Sequence, residues 1–217
     1  MERRVALRNM GMAMGLTVAT PTLLSILQSC QRETAVAWTP KYFTPGQGAV
    51  LIKLVDLIIP KTDTPSASEV QVHAFVDSYV NEVSDLPEQE LMSMAFTAFI
   101  NKALADSGKD DATDLSAEDL EPVLAEALAK RDAAEEARIY EQISSYQQAQ
   151  AAGEPKTLDE AIARYMFANN LRGAVIWAYK TSEYVGEEVL AYLPVPGGYT
   201  PCGDLNELTG GKAWSLS

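Results

Sequence analysis

The sequence predicts an all-α protein, an irregular bundle of about five to six helices with an extended C-terminal tail. Three observations lead there. Apolar residues recur three and four positions apart along most of the chain, capping residues stand where those runs begin, and no stretch alternates over several strands.

Thr44-Pro45-Gly46-Gln47 supplies a hydroxyl cap, a proline in the first turn and a glutamine three residues on. Behind it Val50, Leu51, Leu54, Val55 and Ile58 share one helical face, and Pro60 ends the run. "KTDTPSAS" is a polar loop in which Asp63 and Thr64 can bond their own backbone. Val72, Phe75, Val76, Tyr79, Val80 and Val83 mark a second amphipathic helix, whose β-branched residues make it dependent on packing. Leu91, Ala95, Phe96, Phe99, Ile100 and Ala103 mark a third, and "ADSGKDDATDLS" breaks the pattern as an exposed loop. Ser116 and Asp119 cap a segment expected to reach about Gln150. Val123, Leu124, Ala127 and Leu128 give its first part a buried face; the rest reads as a solvated arm stopped by Gly153. Thr157 and Glu160 form another capping box, opening "LDEAIARYMFANNLRGAVIWAYKTS". A short helix through Val189 and Leu190 follows, and "YLPVPGGYTPCGDLNELTGGKAWSLS" is expected to lie extended over a surface.

The first thirty residues stand apart from this pattern. Arg3 and Arg4 precede a mildly apolar run, Met10 to Leu27, in the order of a charged region and a hydrophobic region of a secretory signal. Paired arginines and weak hydrophobicity point to the twin-arginine route, although Glu2 and Ala6 depart from the residues usual beside the pair. Leu27-Gln28-Ser29-Cys30 resembles the lipobox of bacterial lipoproteins, with a small residue before the cut and a cysteine to take the lipid. The alternative is an uncleaved anchor helix, but the run is polar for a span that wants ~20 predominantly apolar residues. Residues 1–30 therefore read as an export signal with lipobox, 31–42 as a tether, and 43–217 as one helical domain with its tail. The expected location is the periplasm, with Cys30 lipid-anchored to a membrane.

The chain carries a net charge of −13, and removing residues 1–29 takes away Arg3, Arg4, Arg8 and Glu2, which deepens it to −15. Such a surface repels phosphate backbones and anionic lipid, which argues against nucleic acid as a partner and leaves membrane attachment to a lipid or a protein. The roughly 185 residues left suit one domain with a real core. After lipidation of Cys30 the second cysteine, Cys202, is expected to be buried or bonded to another chain.

Catalysis should leave a constellation of residues, and none is found. His73 is the single histidine, too few for paired Glu-x-x-His motifs. There is no C-x-x-C-H, no cysteine cluster and no Gly-rich phosphate loop. Cys202 lacks the basic neighbours that would make it a nucleophile. Asp106, Asp110, Asp111 and Asp114 miss the calcium-loop spacing and its closing glutamate. His73 reads as a packed or surface histidine, the acidic loop as solvated, and no catalytic, cofactor-binding or metal-binding residue is assigned. The chain offers instead an aromatic and proline cluster: Trp177, Tyr179, Tyr184, Tyr192, Pro194, Pro196 and Tyr199. It serves either an interface or the closure of the helical core.

"YFTPGQGAVLIKLVDLIIPKTDTPSASEVQVHAFVD", "YKTSEYVGEEVLAYLPVPGGYTPC" and the paired arginines together resemble the gluconate 2-dehydrogenase subunit 3 family. The resemblance rests on Phe43-Thr44-Pro45, on Ile59 to Pro65, on Thr181-Ser182-Glu183 after an aromatic, and on Pro194 to Cys202; residues 85–155 carry no signature. It implies a cofactor-free small subunit of a periplasmic sugar or polyol dehydrogenase. In such a complex FAD sits on a large subunit similar to the GMC oxidoreductases, and a cytochrome c often takes the electrons. The small subunit would bear the export signal for both chains. On this resemblance the partner interface is expected at Trp177, Tyr179, Thr181, Ser182, Glu183, Tyr184, Pro194, Pro196, Gly197, Tyr199 and Cys202, with Cys202 a candidate for a bond to the partner. The competing expectation is a free-standing periplasmic lipoprotein of binding or structural type.

Overall fold

The computed structural model describes residues 38–193, 197–198 and 202–215. The chain divides into two units, Met1–Thr39 and Pro40–Ser217. In the first, only Trp38 and Thr39 are described, and neither lies in a helix or strand. Arg3, Arg4 and Cys30 lie outside the described residues.

The second unit begins with a strap, Lys41-Tyr42-Phe43, that leads into α1 (Pro45–Ile58). The Thr44 hydroxyl accepts from the Gln47 N–H at 3.2 Å, and the Gln47 side chain accepts from the Thr44 N–H at 3.0 Å. That is the capping box the sequence predicts. Val50, Leu51, Leu54 and Val55 are buried as expected. In the following loop the turn bond runs from Thr62 N–H to Thr64 O at 3.0 Å, so two threonines close it rather than Asp63. Asp56 on α1 then receives the Ser68 N–H at 2.8 Å and the Ser68 hydroxyl at 2.6 Å, pinning the loop's far end.

α2 (Val72–Glu82) follows Gln71, which takes a left-handed φ of 60°. Its six expected apolar positions do not share one buried face. Val72, Val76 and Val80 are buried, whereas Phe75, Tyr79 and Val83 are exposed. Residues four apart form one stripe, and 75, 79 and 83 form a stripe of their own, about 60° wide of the core side. The buried stripe carries His73 and a fully buried Asp77. Asp77 accepts three main-chain N–H groups: Lys41 at 2.6 Å, Tyr42 at 3.1 Å and Phe43 at 3.0 Å.

α3 (Leu86–Ser107) starts from a reciprocal box between Asp85 and Glu88 and ends at Gly108, whose φ of 69° suits only glycine comfortably. The Gln89 amide donates to Val80 O at 2.8 Å and Ser84 O at 3.2 Å, closing the carbonyl end of α2. Ala95, Phe96, Phe99, Ile100 and Ala103 are buried as predicted. In the acidic loop, Asp106 pairs with Lys102 at 2.6 Å and Asp111 caps a 3-10 turn (Ala112–Asp114) by accepting from Thr113 N–H at 2.8 Å. No group of three potential metal ligands occurs among the described residues.

The segment expected to run unbroken from 116 to about 150 is two helices, α4 (Ala117–Ala127) and α5 (Ala133–Ala151). Arg131 breaks it. Its guanidinium donates to the carbonyls of Ala127 and Ala129, both at 3.0 Å, and lies 4.6 Å from the centre of the Tyr165 ring. Asp132 then caps α5 through Glu135 N–H at 2.8 Å. Only Ile139 of α5 is buried, in keeping with a solvated arm, and Gly153 stops it at φ 69°.

α6 (Glu160–Thr181) is capped by Asp159, not by Thr157. The Asp159 carboxylate accepts from Ala161 and Ile162 N–H at 2.9 and 3.3 Å, and a negative charge there is favoured by the helix dipole. α6 is the central helix, packing against α1, α2, α3 and α4. Phe167 stacks on Phe96 at 4.4 Å and tilts onto Phe99 at 5.3 Å; Phe43 of the strap meets Phe96 edge-on at 5.3 Å. Truncating one such buried ring to alanine costs about 3–5 kcal/mol.

The short helix expected through Val189 and Leu190 is a single π-helical turn, Val185–Val189. The tail is not wholly extended. It contains α7 (Leu205–Thr209), and its end returns so that Ala191 N–H donates to Ala213 O at 2.9 Å and Ser215 N–H to Ala191 O at 3.1 Å. The architecture is therefore all-α, with seven α-helices and no β-strand among the described residues.

Two outcomes test this account. Asp77→Ala leaves three N–H groups without their acceptor and is expected to cost on the order of 3 kcal/mol in urea unfolding. Asp77→Asn, which keeps one acceptor oxygen, costs less. Burial pushes the His73 pKa below 6.5, with the charges of Asp56 and Asp77 opposing it in part. The unfolded chain thus takes the proton first as pH falls. The stability contributed by the neutral imidazole is complete above 6.5 and is lost progressively below it, down to the folded pKa. Urea midpoints measured between pH 7.5 and 5.5 should fall, less steeply in His73→Gln.

Candidate functional site

Two of the four stretches on which the resemblance rests, Ile59 to Pro65 and Thr181-Ser182-Glu183, lie more than a hundred residues apart in sequence. Lys61 to Pro65 of the first and Ser182 and Glu183 of the second, with Tyr184 beside them, line one cleft of about 770 Å³. Tyr179 brings them together. Its hydroxyl donates to Pro65 O at 2.7 Å, which ties the loop after α1 to the last turn of α6.

The end of α6 is built by short side chains. Thr181 Oγ1 donates to Trp177 O at 2.9 Å and Ser182 Oγ to Tyr179 O at 2.8 Å. Gly186 N–H then reaches Ser182 O at 2.8 Å and carries the chain into the π-helical turn. Ser182 thereby bonds a carbonyl that a helix end would leave open, and Thr181 folds back onto the preceding turn. Val185 is buried and seats the turn, while Glu183 and Tyr184 point outward.

The cleft is acidic. Asp63, Glu69, Glu183, Glu187 and Glu188 line it with Lys61 as the single basic residue, and Lys61 is engaged by Glu69. Tyr184, 53% exposed, offers an aromatic face at its wall. An acidic cleft with an exposed ring suits a basic side chain, arginine above all, which can pair with carboxylates and stack on the ring.

Trp177 stands at a different place. It is 51% exposed and meets Phe75 and Tyr79 of α2 at 5.2 and 5.9 Å between ring centres. These rings roof an apolar groove of about 560 Å³ between α2 and α6 that reaches down to Phe43, Leu51 and Phe167. Phase along α6 separates the two aromatics of the sequence cluster: Leu171, Val175, Ala178 and Tyr179 face the core, and Ile176 and Trp177 face out. Tyr179, grouped by sequence with the partner-facing residues, is thus a buried strut, 8% exposed.

Of the remaining residues expected at the interface, Gly197 and Cys202 are exposed. Pro194, Pro196 and Tyr199 lie outside the described residues. Cys202 carries an unbonded, exposed thiol, so burial does not account for it. His73 is buried and lines neither the cleft nor the aromatic groove. Phe75 and Tyr79, which spacing puts among the apolar positions of the second amphipathic helix, stand outside the core, because the apolar arc on α2 is too broad for one neighbour to cover.

A sequence profile of one family, described as gluconate 2-dehydrogenase subunit 3, matches residues 45–197 in a single span. The match begins at the first residue of α1 and takes in both walls of the cleft, together with the middle of the chain that lacks a legible signature. No curated protein and no solved structure matches the chain. No helix among the described residues is long and apolar enough to cross a membrane. With well over half of its 217 residues covered, the chain belongs to the gluconate 2-dehydrogenase subunit 3 family.

Proposed function

We propose that this chain is the non-catalytic small subunit of a periplasmic, flavin-dependent sugar or polyol dehydrogenase. It escorts the GMC-type flavoprotein subunit through twin-arginine export and then stabilises it. The observation that carries the reading is the cleft: two of the stretches on which the family resemblance rests meet there, exposed and acidic, rather than in the core. A feature used only for folding would be covered; this one is held open by Tyr179 and the capping of α6.

Arg3 and Arg4 supply the export signal in this reading, and the lipid on Cys30 holds the complex to a membrane. FAD belongs to the partner. A cytochrome c is the class of protein expected to take the electrons. Cys202 is exposed and available for a bond to the partner.

Co-expression with the flavoprotein subunit tests the escort. Replacing both arginines, Arg3→Lys with Arg4→Lys, should cut periplasmic dehydrogenase activity to background while cytoplasmic flavoprotein accumulates. Unchanged periplasmic activity would leave a free-standing lipoprotein as the better description. The cleft is tested separately, on purified complex. Tyr184→Ala combined with Glu187→Lys should lower co-purification at least tenfold and leave the helical circular dichroism unchanged, since both side chains are exposed.

A further inference from the structure

We propose that the groove bounded by α2, α3, α5 and α6 is a second docking surface, one that takes an amphipathic helix of another protein, apolar on one face and flanked by lysine or arginine. The groove is longer than the cavity under Trp177. That cavity and a neighbouring one of about 410 Å³ share Tyr79, Met92 and Phe167 in their walls. The neighbour shares Glu88, Leu91 and Gln147 with a third, of about 510 Å³. The three cavities adjoin through these shared walls and lie in series from Trp177 past Met92 to Tyr146 and Ala151 at the end of α5.

α5 forms one wall without closing the groove. It is 19 residues long, roughly 28 Å at 1.5 Å per residue, yet buries only Ile139. Its Tyr140, Ile143 and Tyr146 face the same cavities as Met92 and Met94 of α3. Methionines and rings make an adaptable apolar floor, the kind into which a helix lays anchors spaced by three and four residues.

Charge selects the occupant. No lysine or arginine lines any of the three cavities, while Asp85, Glu88 and Glu90 stand at the α3 rim. None of these three carboxylates is ion-paired among the described residues. A second copy of the chain, itself of net charge −13, would be repelled by this rim, and an anionic membrane likewise. A basic-flanked helix is attracted. The groove shares no wall residue with the acidic cleft, so the inference stands independently of the flavoprotein reading.

The test is fluorescence polarisation with the full chain and three labelled 18-residue peptides: a leucine-faced helix with lysine flanks, the same composition scrambled, and the same helix with glutamate flanks. The lysine helix should bind, the scrambled peptide at least tenfold more weakly, and the glutamate helix not measurably. Ile143→Glu and Trp177→Ala, at partly or largely exposed positions, should each weaken binding about tenfold, with Tyr184→Ala in the cleft having no effect. A photo-crosslinking phenylalanine analogue at Tyr140, in an otherwise native chain, should capture the lysine helix, which guards against a variant that merely unfolds. Equal binding of the scrambled peptide overturns the proposal, as does insensitivity to Ile143→Glu. So does sedimentation of the chain alone as a dimer that Ile143→Glu dissolves, which would make the occupant a second copy.

Discussion

The unit from Pro40 onward is organised by one buried carboxyl group. Removing Asp77 from water carries a desolvation cost that only a full set of hydrogen bonds can offset. The offset comes from consecutive main-chain N–H groups of Lys41, Tyr42 and Phe43, not from a cation. Three neighbouring amides can converge on one carboxyl only if the strap takes a single path, and that path fixes everything next to it. It drives the Phe43 ring against Phe96 and sets Thr44 where its hydroxyl caps α1. It also places the Tyr42 hydroxyl on Gln89 O, whose own side chain closes α2. Strap and three helices are thereby locked through polar contacts that burial makes strong and geometry makes selective.

What was legible in the sequence follows the range of the interactions involved. Caps formed within three residues could be read directly, as with Thr44 and Gln47, and so could the glycine stop at Gly153. The buried faces of α1 and α3 followed from spacing alone, because each has one covered side. Asp77 was not legible: an aspartate within an apolar stripe could be a surface residue out of phase, and its partners are backbone groups some 35 residues away with no side-chain signature. Arg131 was missed for a related reason. A basic residue inside an Ala- and Glu-rich run reads as helix surface, and only the Tyr165 ring, brought in by α6, shows why it turns back to end α4. Asp159 prevailed over Thr157 by direct competition, since a carboxylate reaching two N–H groups is the stronger cap.

The candidate site was legible as motifs and not as a surface. Sequence gathers Trp177, Tyr179 and Tyr184 into one cluster, but a helix turns 100° per residue, so positions two apart face nearly opposite ways. Trp177 joins Phe75 and Tyr79 outside, while Tyr179 goes inward to Pro65. The stretch Ile59 to Pro65 gave no hint in sequence that it faces Thr181 to Tyr184, because the link is one hydroxyl to one carbonyl across 114 positions.

In the complex proposed above, that single bond would bear on how the surface docks. A polar loop beside a helix end would, left to itself, sample many conformations, and a partner would have to order it on binding at an entropic cost per residue. Here the ordering is done within the chain. Tyr179 holds the middle of the loop at Pro65, Asp56 fixes Ser68 beyond it, and Glu69 both accepts the Ser66 N–H at 2.9 Å and engages Lys61. On the α6 side of the cleft Ser182 caps the helix and Thr181 folds back onto the preceding turn. Four carboxylates, Asp63, Glu183, Glu187 and Glu188, are left facing solvent without an intramolecular ion pair among the described residues. Like charges held together on a rigid frame repel one another, and a partner that brings positive charge relieves that repulsion as it docks. In the complex proposed above, such a frame would favour association twice over, by having less left to order and by carrying charge that a complementary surface neutralises.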